Sequence, residues 1–215
     1  MTDIAIAEYK QLYIDDASKA NLVKIRIQVF YRDVDALAER MYAGQISLGQ
    51  WEEDMRTLVR ELHTGCTAIG KGGWDLMTPK GWGQAGAAIK KQYRWLHGFA
   101  EDIEERKDTI SLAAIKARAH LYGEAGGYSA NLAQAGDIAS MLPWIPRDGQ
   151  SECMNNCKCA WILVEGEPEA GMKTITATWT LSPAEHCDTC LERSGHVETL
   201  VVPAGTEVPD FIGGL

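Results

Sequence analysis

The chain has 215 residues, 46% apolar and 24% charged, long enough for one large domain or two small ones with a real core. Its apolar runs are short and interrupted, which excludes a membrane-spanning helix, and Met1–Ala5 lacks the basic-then-apolar build of a secretory signal, so the sequence points to folding in a reducing cytoplasm. The net charge of −9 is concentrated: residues 143–215 hold four Lys/Arg against eleven Asp/Glu, a balance of −7 that argues against direct nucleic-acid binding by that region, since gripping phosphates needs cations.

Residues 1–142 read as a domain of long packed helices. From Val23 an apolar stripe runs through Ile27, Phe30, Val34, Leu37 and Met41 in steps of four and three, the seam of a helix packed lengthwise on a partner. Gly44 suits the left-handed position that ends it. Ser47 is placed to cap a second helix carrying Leu48, Trp51, Met55, Leu58, Leu62 and Ile69. Cys66 shares that stripe and reads as a small buried hydrophobe. Gly70–Gly73 breaks the pattern, and Thr78-Pro79 restarts it with a capping hydroxyl and a proline at the first helical position. Trp82, Ala85, Ile89, Tyr93, Leu96, Ala100 and Ile103 follow at helical spacing, up to the charged run Glu101–Asp108. A fourth helix is predicted from Ser111 through Leu112, Ile115, Ala119 and Tyr122, weakening at Gly123, Gly126 and Gly127. Gly81, Gly83 and Gly86 are expected to permit close helix approach, and some of the seven tryptophans to sit at subunit contacts.

Helix cannot pass through the proline-rich Met141–Gly149, which marks a module boundary. Residues 143–200 read as a small α+β module. Within it Trp161–Val164 and Thr174–Leu181 are strand-like around the turn Gly166–Gly171. Ser182–Glu185 matches a capping box, predicting a short helix that ends near Gly195. Residues 201–215, with Pro203, Gly205, Pro209 and Gly213-Gly214, read as an extended arm that orders on a partner.

Five of the six cysteines lie in two clumps on either side of the predicted hairpin: Cys153, Cys157 and Cys159 before it, Cys187 and Cys190 after it. Two thiol groups brought together by a hairpin have the spacing of a structural zinc site, ahead of disulfides or free thiols in a reducing compartment. Cys187 and Cys190, three apart, are expected to face one way from a helix N-terminus, whose dipole favours thiolates. The order of knuckle, hairpin and Cys-x-x-Cys helix resembles a treble-clef module. Zinc takes four of the five: Cys187 and Cys190, with two from Cys153, Cys157 and Cys159, the pair Cys157 and Cys159 being favoured. Four thiolates leave no open position, so the Zn(2+) would be structural. His186, about 100° round the helix from its neighbour Cys187, is expected to be solvated.

Signals for catalysis are absent. Gly70–Gly73 is no phosphate loop, and no nucleophile elbow or paired-histidine zinc helix occurs. His63, His97 and His120 lack carboxylates at ligand spacing and read as surface or interface residues. The acidic run from Glu101 reads as a solvated helix face.

Several segments resemble phage head morphogenesis proteins of the MuF-like minor head family. They are Ala43–Met55, Gln92–Phe99 and Arg118–Tyr122 in the helical part, and Asn156–Cys159 and Trp179–Cys190 in the cysteine-bearing part. In many of that family the Cys-x-x-Cys comes first; here the order is reversed, which leaves a related but distinct virion structural protein as an equal reading. The resemblance implies a non-enzymatic minor head component of the virion, oligomeric in the particle and in contact with portal or major capsid protein. Two other readings stay open: a cytoplasmic zinc-stabilised adaptor, or an enzyme with a site between the two modules that uses His97, His120 or the acidic run.

Overall fold

Four long helices make up most of the molecule in the computed structural model, whose described residues are 16–214. The N-terminal stretch read above for a signal sequence, and Leu215 of the predicted arm, lie outside that range. The four helices are α1 (Asp16–Tyr42), α2 (Leu48–Lys71), α3 (Pro79–Glu105) and α4 (Leu112–Ala135), and the last three begin where local chemistry directs. Ser47, Thr78 and Ser111 each accept a hydrogen bond from the backbone N–H three residues on. Gly44, at φ 70°, closes α1, and Gly72, at φ 92°, closes α2. The α1 stripe is buried from Val23 to Leu37 and meets Trp51, Met55 and Leu62 of α2, Leu96 and Phe99 of α3, and Ile115 of α4 in one core. No helix among the described residues is long and apolar enough to cross a membrane.

Helix α4 does not weaken at its glycines. It runs through Gly123, Gly126 and Gly127 to Ala135 because those positions have no room for a side chain. A Cβ at Gly126 would stand 2.9 Å from Leu62 Cγ and one at Gly127 2.6 Å from Arg147 Cδ, while one at Gly123 would overlap the Tyr31 ring. Each glycine costs about 1 kcal/mol of helix propensity, offset here by the close seat of α4 against α1 and α2. Close approach is therefore a property of α4. At Gly83 and Gly86 of α3, where it was expected, an added Cβ would meet nothing within 4 Å.

A second core begins with Ala135 and Ile138, so the end of α4 already belongs to it, ahead of the proline-rich segment. It is covered by a four-stranded antiparallel sheet of order β3-β2-β1-β4, from β1 (Ala160–Glu165), β2 (Met172–Thr180), β3 (Val197–Pro203) and β4 (Phe211–Gly213). The β1–β2 hairpin lies where the sequence places it, with Trp161 opposite Trp179. Both rings are buried and pack edge to face at 5.2 Å, beside Trp144.

The extended arm is a correction. Residues 201–203 close β3, and 211–213 form β4 against β1, with Val202 and Ile212 buried. Leu200 and Val202 alternate with Val197, Thr199 and Val201, the period of a half-buried strand. Pro203 ends β3 and Pro209 precedes β4, positions where a missing N–H disrupts no ladder.

Candidate metal centre

The thiol cluster forms where two irregular segments meet at one end of the sheet. On the entry side Ser151–Cys159 makes a knuckle around one tight turn, Met154–Asn156, in which Asn156 N–H bonds the Cys153 carbonyl at 2.9 Å. Cys159 then leads into β1. On the exit side the chain leaves β2, bends at Pro183–Ala184 and enters α5 (Asp188–Arg193).

The predicted helix start is corrected here. Ser182 caps nothing, its hydroxyl being buried without a hydrogen-bond partner. The carbonyl of Ser182 instead bonds His186 Nε2 at 2.7 Å, which turns the chain inward. Cys187 becomes the extended N-cap residue of α5 and Cys190 lies in its first turn, so the two thiols approach from a cap and a helix rather than from one helical face.

Cys153, Cys157 and Cys190 place their sulfur atoms within 4.8 Å of one another, the one such group of three metal-ligating side chains among the described residues. Cys190 Sγ stands 3.7 Å from Cys153 Sγ and 3.9 Å from Cys157 Sγ. Sulfurs bound to one tetrahedral ion at ~2.3 Å are separated by about 3.8 Å, so these three could hold a metal ion. None of the six cysteines is in a disulfide. Cys66, the sixth, is buried in the helical core, where burial pushes its thiol up to about 12 and leaves it inert.

Cys187 and Cys159 adjoin the three in different ways. The Cys187 thiol interacts with Cys190 and Cys153. Burial acts to raise it, but backbone and side-chain hydrogen bonds from those two residues outweigh that and hold it below the usual thiol value. Cys153 and Cys190 are raised, chiefly by burial, and Cys159 is pushed up to about 11 by burial and by Cys157. Cys159 Sγ lies 3.6 Å from His186 Nδ1. Because His186 Nε2 faces a carbonyl, which only accepts, that nitrogen carries the proton and Nδ1 offers a lone pair to the Cys159 thiol. His186 is half-buried with both ring nitrogens engaged, not solvated.

Three neighbours gave no signal in the sequence. Ser151 Oγ meets Cys153 Sγ at 3.1 Å, and Glu152 accepts from the Asp188 N–H at 3.2 Å, tying knuckle to helix. Asn155 Nδ2 donates to the Arg147 carbonyl at 2.5 Å. Arg147, buried with φ 71°, donates in turn from Nη1 to Glu124 of α4 at 2.8 Å. The knuckle is thus fastened through Arg147 to the helical bundle.

The other histidines sit apart from the thiols. His63 is a correction to the surface reading: it is 1% exposed, with Nδ1 bonded to Ser129 Oγ at 2.7 Å, and burial pushes its pKa down to about 4. His120 and His97 have carboxylates after all, supplied by other helices as well as their own. His120 Nε2 meets Asp35 of α1 at 2.9 Å, and exposed His97 lies 3.5 Å from both Glu52 and Glu101. Asp102, from the acidic run, pairs with Arg118 at 2.6 Å. Set against known proteins, the chain matches no family model, no curated protein and no solved structure.

Proposed function

We propose that the thiol cluster holds one structural zinc ion on Cys153, Cys157, Cys187 and Cys190, and that the chain is a non-enzymatic structural component of a phage head. The observation that carries the metal reading is the pair of sulfur separations at Cys190, 3.7 and 3.9 Å, which fit one tetrahedral edge each. Cys187 supplies the fourth thiol from the mouth of α5, already hydrogen-bonded toward its ionised form. Cys159 keeps its proton, donates its S–H to the His186 lone pair and stands outside the shell. A cation at the centre is what allows buried thiols such as Cys190 to ionise together. Four thiolates complete the shell and leave no position for substrate or water, so the ion braces the module in a treble-clef-like way.

The head assignment is supported by the likeness of Ala43–Met55, Gln92–Phe99 and Trp179–Cys190 to minor head proteins. Its role would be contact with portal or capsid subunits during assembly. Two measurements test this. Elemental analysis of the purified chain is expected to give one zinc per chain, kept by C159S and lost by C190S; less than half an equivalent in the unaltered protein rejects the metal centre. Purified particles are expected to contain the chain in fixed copy number; its absence from them rejects the head role and favours the adaptor reading.

A further inference from the structure

Residues 76–100, which include most of α3, hold four Lys/Arg and no Asp/Glu, in a chain whose net charge is −9. The basic side chains reach the surface on one stripe of that helix. Lys90 and Arg94 stand one turn apart, about 6 Å along the axis, with Lys91 beside them, and all three are exposed. Among the described residues none of the three makes an ion pair. Gly83 and Gly86 continue the stripe toward the N-terminus, and a Cβ added at either would meet nothing within 4 Å, so the backbone there is open to close approach. Two indoles flank it, about 20 Å apart along the helix. Trp82 is 48% exposed and leans on Trp74 at 5.9 Å, and Trp95 is 51% exposed with Lys91 Nζ over its ring at 4.9 Å. Between α2 and α3 runs a groove of about 530 Å³ lined by Arg56, Lys90, Tyr93, Arg94 and His97. The carboxylates beside it are engaged: Glu52 pairs with Arg56 at 2.6 Å, and Glu52 and Glu101 each lie 3.5 Å from His97.

We propose that this face of α3 binds single-stranded nucleic acid, its phosphates tracking along Lys90 and Arg94 and its bases lying on Trp82 and Trp95. Charge selects a polyanion, because unpaired cations gathered on one stripe of an otherwise acidic chain leave α3 as the surface it can approach. Spacing selects a strand of phosphates: cations one helical turn apart match successive phosphates of an extended chain. The indoles select unpaired bases. An acidic peptide satisfies the cations but brings no planar group for the rings, and the bases of a duplex are already stacked on one another, whereas every unpaired base has a face to lay on an aromatic side chain. With Lys90, Lys91 and Arg94 as the three phosphate contacts, the logarithm of the binding constant should fall with that of salt at a slope of about −2. A non-specific site of this size implies a Kd on the order of 10 μM. The inference lies in the helical half and holds whichever ion the thiols take.

The test is fluorescence anisotropy of a labelled oligothymidine of about 20 nucleotides, titrated with the full chain at about 50 mM salt. Expected is saturable binding, at least ~5-fold tighter than to a duplex of the same length, that weakens with salt at the slope above. Lys90→Glu combined with Arg94→Glu is expected to weaken it at least ~30-fold, and Trp95→Ala at least ~5-fold, while Trp95→Phe keeps a ring and stays within ~3-fold. Lys24→Glu, a charge reversal at an exposed site of α1, is expected to stay within ~2-fold. All four positions are exposed, and thermal unfolding checks that each variant folds. No binding up to ~300 μM chain, many times the expected Kd, overturns the proposal. So does binding indifferent to the double charge reversal or to Trp95→Ala. A labelled polyglutamate bound as tightly as the oligothymidine overturns it too, and assigns the face to an acidic protein instead.

Discussion

The helical half and the sheet half are held together by different means. In the first, Trp51, Met55, Leu62, Leu96, Phe99 and Ile115 are each 1% exposed or less, and four helices satisfy their own backbone hydrogen bonds. In the second, three strands of working length support long irregular segments, 143–159 and 181–187, whose only regular structure is one tight turn. At the end of the sheet where those segments meet, Cys157, Cys159 and Cys190 are buried in the same core as Trp161 and Trp179. The difference teaches where a cross-link is required. Burial alone suffices for helices, whereas loops that bring few ladder bonds need a point that fixes several of them at once.

Removing the metal proposed for the thiol cluster breaks the comparison most directly. A strong chelator, or Cys190→Ser, is expected to cost the sheet half about 10 kcal/mol. Far-UV circular dichroism should then keep most of its helical signal while near-UV tryptophan signals from Trp161 and Trp179 collapse. Loss of both together would mean that the two halves do not differ in this way.

The seam between them comes next. Arg147→Ala leaves the Glu124 carboxylate of α4, which also accepts from the Tyr31 hydroxyl of α1, without its buried cation. The expected loss is about 3–4 kcal/mol, measured by denaturant titration. Gly127→Ala, which would press on the same side chain, is expected to go the same way.

Acid should strike the helical half through His63. Its folded pKa is held at about 4 against 6.5 unfolded, so the unfolded chain binds the extra proton between those values. Stability is then full above pH 6.5 and falls by about 3 kcal/mol as pH drops to 4. His63→Gln is expected to flatten that slope in the pH dependence of the unfolding midpoint. The smallest effect sharpens the account of the helices themselves: Ser111→Ala removes the cap of α4 and should cost about 1 kcal/mol by thermal unfolding, with metal content unchanged.

Much of this was legible in the chain. The stripe from Val23 to Leu37, the caps at Ser47, Thr78 and Ser111, and the hairpin around Gly166–Gly171 are local signals with a spacing of a few residues. The two thiol clumps were legible for the same reason. The misreadings share a cause too. Gly123–Gly127 looked like weakness because Tyr31, Leu62 and Arg147, which fill the space against them, come from far along the chain. His63 looked exposed because Ser129 lies 66 residues away. The final strands looked like an arm because their ladder partners are in β2 and β1, and two prolines flank them.

Helix positions, the hairpin and the clustering of thiols were determined by the sequence itself, because capping, periodicity and turn chemistry act between near neighbours. Only the tertiary structure decided which sulfurs meet, that Cys187 approaches from a cap while Cys159 turns to His186, and that the sheet gains its outer strands. Each of those depends on where distant backbone segments come to rest, and side-chain spacing along one chain carries no record of that.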